Sequence, residues 1–158
     1  MRSLKHWCAA AILPLLIGPA AGAQQPPRGP VDYVNPWIGS IGHLLTATEP
    51  AVPLPHGMMR LAPVTTPTIR DRYLADKIYG FPLGGALVMP STGKVEPSPA
   101  KTASRFDHDL ETATPYYYAA TLEDHDIQAE CTVSARAAHF RFTFPPKAAA
   151  RLSLFLRA

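Results

Sequence analysis

From Tyr116 onward, apolar and polar residues alternate along the chain. Tyr116, Tyr118, Ala120 and Leu122 occupy every second position, and the acidic stretch Glu123-Asp124-His125-Asp126 reads as a hairpin turn. Ile127, Ala129, Cys131 and Val133 then face one way while Gln128, Glu130, Thr132 and Ser134 face the other. Ala138, Phe140, Phe142 and Phe144 alternate with His139, Arg141 and Thr143 until Pro145-Pro146, and Leu152, Leu154 and Leu156 begin a further run. A period of two sends successive side chains to opposite faces of a sheet, so each run is a predicted strand.

The first half carries the pattern less clearly. Ala86 to Pro90 is a short apolar run after Gly84-Gly85 and reads as a buried strand. Val31 to Ile38 and Met58 to Leu61 are expected to be two shorter strands. Arg70 to Asp76, RDRYLAD, mixes charges and reads as a solvated turn or loop, or as a ligand-contacting edge. Ser91 to Ser104, with Pro97 and Pro99, is a connecting loop by composition. No stretch after residue 23 has a convincing helical period. Successive strands with short turns therefore predict an all-β fold, an antiparallel β-sandwich.

The first 23 residues stand apart. Arg2, Lys5 and His6 make a basic start, Trp7 to Ile17 is apolar apart from Pro14, and Ala21-Gly22-Ala23 offers a small-x-small cleavage site. The run is well short of the roughly 20 residues that cross a bilayer, so residues 1–23 read as a signal peptide rather than a membrane anchor. The expected destination is periplasmic or extracellular. Residues 24–30, QQPPRGP, form a Pro-rich linker, and 31–158 are expected to make one domain that stops in mid-alternation.

Charge and cysteine content exclude several classes. Arg2 and Lys5 leave with the signal, which lowers the formal net charge from +3 to +1. No basic block remains as a footprint for nucleic acid. Cys131 becomes the one cysteine, so neither an internal disulfide nor a cysteine-based zinc site is possible, and its apolar alternation marks it as a buried small hydrophobe. His43, His56, His108, His125 and His139 show no HxxxH pair, hence no metal-ligand spacing.

Residues 31–63, VDYVNPWIGSIGHLLTATEPAVPLPHGMMRLAP, hold the most distinctive chemistry. Five prolines fix the backbone and deny it donors, while Gly39 and Gly42 open angles closed to other residues, so this stretch follows one shaped path. His43 emerges from that glycine-framed loop, either as a substrate contact or as a turn residue. General acid–base hydrolysis would need two carboxylates flanking the scissile bond, about 6.5–9.5 Å apart where a water must fit between them. Glu49 is isolated, Asp107, Asp109 and Glu111 read as a surface segment, and Glu123, Asp124 and Asp126 as a turn, so no catalytic residue is assigned.

Several blocks resemble the N-terminal domain of glycoside hydrolase family 92. VDYVNPWIG with the Gly-His loop, Pro55-His56-Gly57-Met58 and Leu61-Ala62-Pro63 open the likeness. Phe106-Asp107-His108-Asp109 through Glu111, Ala113, Pro115 and the tyrosines 116–118 resembles FSHxxExAxPGYYxVxL. Ile127-Gln128-Ala129-Glu130, Thr132, Arg136 and His139 to Pro145 resemble IxAELTxTxRxxxHRxTFP. The blocks fall in the same order and cover nearly all of residues 31–145. The resemblance implies a glycoside-hydrolase-type carbohydrate-binding sandwich of the galactose-mutarotase kind. It implies further a calcium-dependent exo-acting α-mannosidase, whose larger helical-barrel domain carries the catalytic carboxylates and most of the calcium site. Gly42 and His43 are, on this likeness, the candidate contacts to an α-mannoside glycan.

The sequence departs from that pattern at three places. Leu45 stands where the related loop has a second histidine, His56 replaces the phenylalanine of PFGM, and Gly80-Phe81-Pro82-Leu83 replaces GFSHTH. Several polar groups implied beside the sugar are thus missing. Three functions remain open at this point: the sandwich of an α-mannosidase lacking its helical barrel, a stand-alone secreted carbohydrate-binding module, or a small periplasmic interaction protein. An exposed aromatic platform would favour the second, with Trp37 and Tyr79 as its candidates.

Overall fold

The computed structural model describes residues 28–39, 48–65 and 74–156. Two antiparallel sheets form the body. The first has the order β10-β9-β8-β7, built from β7 (Thr112–Thr114), β8 (Tyr117–Leu122), β9 (Ile127–Val133) and β10 (Ala138–Thr143). Its register sets Tyr118 against Cys131 and Cys131 against Phe140, Ala120 against Ala129 and Ala129 against Phe142. Cross-strand partners share a face, so the alternation of three separate runs converges on one apolar surface. In β9 every second residue is buried, as the sequence predicts.

The second sheet has the order β11-β5-β4-β3, from β3 (Val64–Thr65), β4 (Lys77–Leu83), β5 (Ala86–Thr92) and β11 (Ala150–Leu156), with β6 (Ser104–Arg105) pairing β4. The apolar run at Ala86–Pro90 is the buried strand expected of it, and Ser91 is buried too. Gly80 crosses β5 so closely that a Cβ there would lie 3.0 Å from the Val88 carbonyl oxygen. Phe81 follows at once and places its ring against Tyr118, Phe140 and Phe142, with centroids 6.1–6.4 Å apart. Those contacts join the two sheets. Burying Phe81, Ile78, Leu122 and Ile127 completely contributes roughly 1.5–3 kcal/mol per side chain against the ordering entropy.

Cys131 lies inside this core, 3% exposed, and burial pushes its thiol up to about 12. It packs as a small hydrophobe. In β11 the strand forms as expected, but Leu152, Leu154 and Leu156 are 59–81% exposed, while Phe155 on the other face packs against the core.

The N-terminal expectations are corrected. Val31 to Ile38 is not a strand: Pro30–Tyr33 is a single 3-10 turn and residues 36–39 form another turn. Pro30 starts the first turn with its φ already set, and the Asp32 carboxylate accepts the Gly29 N–H at 2.8 Å. Asn35 Oδ1 accepts the Trp37 N–H at 2.9 Å, an Asx turn that bends the chain before it can extend. The apolar residues of the stretch lack a partner sheet and stay exposed, Val31, Tyr33, Val34 and Ile38 among them. Met58–Leu61 shrinks to β2 (Arg60–Leu61), which pairs β1 (Val52–Pro53) and puts Val52 and Leu61 into the core. The 91–104 connection contains a four-residue helix, α1 (Pro99–Thr102), packed on β4 and β5.

Candidate functional site

Gly42 and His43 lie outside the described residues, but both ends of their loop are fixed. Thr48 N–H donates to the Gly39 carbonyl at 2.8 Å, which closes a neck beneath residues 40–47. Gly39 has φ +85°, and a Cβ on it would meet Thr48 Oγ1 at 2.7 Å. Both the backbone angle and the close approach therefore require glycine. Beyond the neck, Glu49 pairs with Arg60 at 3.2 Å and ties that arm to β2.

On the other arm, Trp37 stands edge-on to His108, 6.5 Å between ring centres. His108 belongs to a 3-10 turn, His108–Leu110, whose N-cap Asp107 accepts the Asp109 N–H at 2.9 Å. The imidazole is held on three sides. Nδ1 is 3.0 Å from Glu111 Oε2, Nε2 is 2.9 Å from the Ala75 carbonyl, and Phe106 lies edge-on at 4.7 Å. Glu111 also accepts the Tyr118 hydroxyl. Its side chain is completely buried, so the expectation of a surface carboxylate is wrong for Glu111. The reason is geometric: a 3-10 turn brings residues three apart into contact, and the buried charge-bearing group is matched by donors from His108 and Tyr118.

The remaining predicted polar residues separate cleanly. Asp124 accepts from the Arg105 backbone N–H at 2.9 Å and from its guanidinium, which hold the carboxyl below its usual range. His125 stands between Thr92, whose N–H points at Nδ1 from 3.4 Å, and the Thr102 carbonyl, 3.2 Å from Nε2, and so joins α1 to the β8–β9 turn. His139 is exposed on β10, and His56 sits in an exposed turn at φ +59°. On the outer face of the first sheet, Glu130 accepts from Arg141 and from the Tyr117 hydroxyl, which lower its carboxyl to about 2.

Trp37 and Tyr79 are half-buried rather than a platform. Among the described residues, the exposed aromatics are instead Tyr33, 73% exposed, and Tyr116, 43% exposed. Tyr116 donates its hydroxyl to Asp32 Oδ1 at 2.7 Å across 84 positions of sequence, a contact that no local pattern announces. The described residues contain no group of three His, Cys, Asp or Glu side chains able to hold a metal ion.

Two antiparallel sheets packed through Phe81, with a glycine-necked loop at one end of the chain, define a β-sandwich domain. The profile of the glycosyl hydrolase family 92 N-terminal domain matches residues 33–157, and the chain belongs to that family. Among solved structures, a family GH92 alpha-mannosidase from Bacteroides thetaiotaomicron in complex with mannoimidazole shares 33% identity over 73% of this chain, with a TM-score of 0.62. A family GH92 inverting mannosidase from Bacteroides thetaiotaomicron VPI-5482 shares 28% identity over 78%, with a TM-score of 0.68. The gh92 family glycosyl hydrolase ccman5 shares 26% over 77%, with a TM-score of 0.66. The chain spans 18–20% of the length of these three proteins. No curated protein matches it.

Proposed function

We propose that this chain is the carbohydrate-facing sandwich of an exported α-mannosidase, and that residues 24–158 alone hydrolyse nothing. The family match over residues 33–157 carries the reading, together with an alpha-mannosidase of which the chain spans 18%. The Gly39–Thr48 neck supports it by anchoring both ends of the segment that carries Gly42 and His43, the contacts proposed for an α-mannoside glycan at the junction with a helical-barrel domain. Asp32, Glu49, Asp107, Glu111, Asp124 and Glu130 are engaged in capping turns, pairing strands and closing loops. Acid and base, and any calcium, are then the business of the barrel.

Purified residues 24–158, with calcium or with chelator, are expected to give no release from an aryl α-mannoside above buffer. Turnover that survives repurification and disappears with the Phe81→Ala fold defect contradicts the reading. A stand-alone carbohydrate-binding module is the second reading, and exposed Tyr33 and Tyr116 favour it. Saturable binding of a mannose-rich glycan by the isolated chain, without hydrolysis in any assembled form, would select it.

A further inference from the structure

Between the N-terminal 3-10 turn and the β7–β8 turn runs a groove. It consists of two adjoining cavities of about 440 and 530 Å³ that share Val31, Pro115 and Tyr116. One end adds Pro53, Leu54 and Pro55 and is almost wholly apolar; the other adds Arg28, Asp32, Val34 and Thr114 and is mixed polar and apolar. The Tyr116 hydroxyl on Asp32 clamps the two walls at 2.7 Å, while the Gly29 N–H on Asp32 Oδ2 fixes the carboxylate's orientation. Hydrogen bonds from Tyr116 and Gly29, with the nearby Arg28 charge, hold the Asp32 carboxyl below its usual range, so it is an acceptor at neutral pH.

Each oxygen of that carboxylate takes one hydrogen bond and keeps a second lone pair. Arg28 makes no hydrogen bond or ion pair among the described residues and brings up to five N–H donors. A carboxylate and a guanidinium cancel, so the groove suits a neutral polyol over an anion or a cation. Tyr116 and the prolines offer a flat apolar surface beside those groups, and a pyranose ring presents the matching pair: an apolar C–H face and a rim of hydroxyls.

We propose that this groove is a pyranoside-binding site, the sugar ring lying on Tyr116 and Pro115 with its hydroxyls shared between Asp32 and Arg28. Its lining residues are different ones from the candidate contacts Gly42 and His43.

The test is a titration of the full ¹⁵N-labelled chain with methyl α-mannopyranoside, methyl α-glucopyranoside and methyl α-galactopyranoside, with a tetraproline peptide as the competing class. At least one pyranoside is expected to shift the amides of Val31, Asp32, Thr114 and Tyr116 saturably. Tyr116→Ala should weaken that response by about tenfold, the size of a lost aromatic contact, whereas Tyr116→Phe should retain most of it. Unchanged β8–β9 signals report that each variant is folded. Groove shifts that persist in Tyr116→Ala, or that tetraproline alone produces, overturn the assignment. Shifts confined to Trp37, Thr48 and His108 also overturn it and leave the proposed function standing.

Discussion

The sheet of β7 to β10 and the stretch from Pro30 to Leu61 are held by different means. In the sheet, β9 buries every second residue, its neighbours pack against the same core, and no single side chain decides the path. In the N-terminal stretch, two-residue strands alternate with turns, and the path rests on individual groups: Asp32 on Gly29, Asn35 on Trp37, Gly39 against Thr48, Glu49 on Arg60. The sheet is a cooperative scaffold, and the N-terminal stretch is a set of separately pinned loops upon it. Substitutions should therefore act globally in the first and locally in the second.

The largest effect is expected at Phe81, which touches both strands β8 and β10 from the opposite sheet. Phe81→Ala should cost about 3–5 kcal/mol in denaturant unfolding and lower all probes together. Glu111→Ala comes next, because it removes the carboxylate that the Tyr118 hydroxyl and His108 Nδ1 both meet, at about 1–3 kcal/mol. Since His108 underlies Trp37, this variant should also change Trp37 fluorescence in the native state, linking the two regions.

Gly39→Ala meets both the positive φ and the Thr48 hydroxyl, for about 1–2 kcal/mol, confined to the neck. Hydrogen exchange at Thr48 should accelerate while amides of β9 keep their protection; a loss of protection in β9 would refute the separation. His56→Gly should stabilise slightly, by up to about 1 kcal/mol, by relieving an αL backbone angle. The smallest effect is pH-dependent. Arg141 and Tyr117 lower the Glu130 carboxyl from 4.5 to about 2 in the folded chain, so its contribution is complete above about pH 4.5 and is lost as the pH falls toward 2. Glu130→Gln should remove that part of the acid sensitivity.

The sequence made the sheet legible because its signal is repeated. Ile127 to Val133 alternates for seven residues, and its neighbours repeat the same face. It also announced the strand at Ala150–Leu156 but not which face would be covered, since that depends on how far the opposite sheet reaches. At Val31–Ile38 an apolar run resembled a strand, and the overriding cues were single residues: Pro30 and Asp32 at a helical start, Asn35-Pro36 at a turn. Glu111 was hidden for a related reason, because three-residue spacing to His108 has meaning only inside a 3-10 turn. The Tyr116–Asp32 contact lies between distant segments and has no local signature. The candidate loop at Gly42 and His43 was found through its glycine frame, and the structure adds the neck that this frame closes.

The most direct measurement is the intact mass of the native protein, captured from culture medium or periplasm with an antibody to residues 112–156, alongside its α-mannosidase activity. A polypeptide several times the length of these 158 residues, cleaved after Ala23 and active on an α-mannoside, is the expected result. A captured species of residues 24–158 alone, stable and abundant, would contradict the assignment to a mannosidase and leave the binding module.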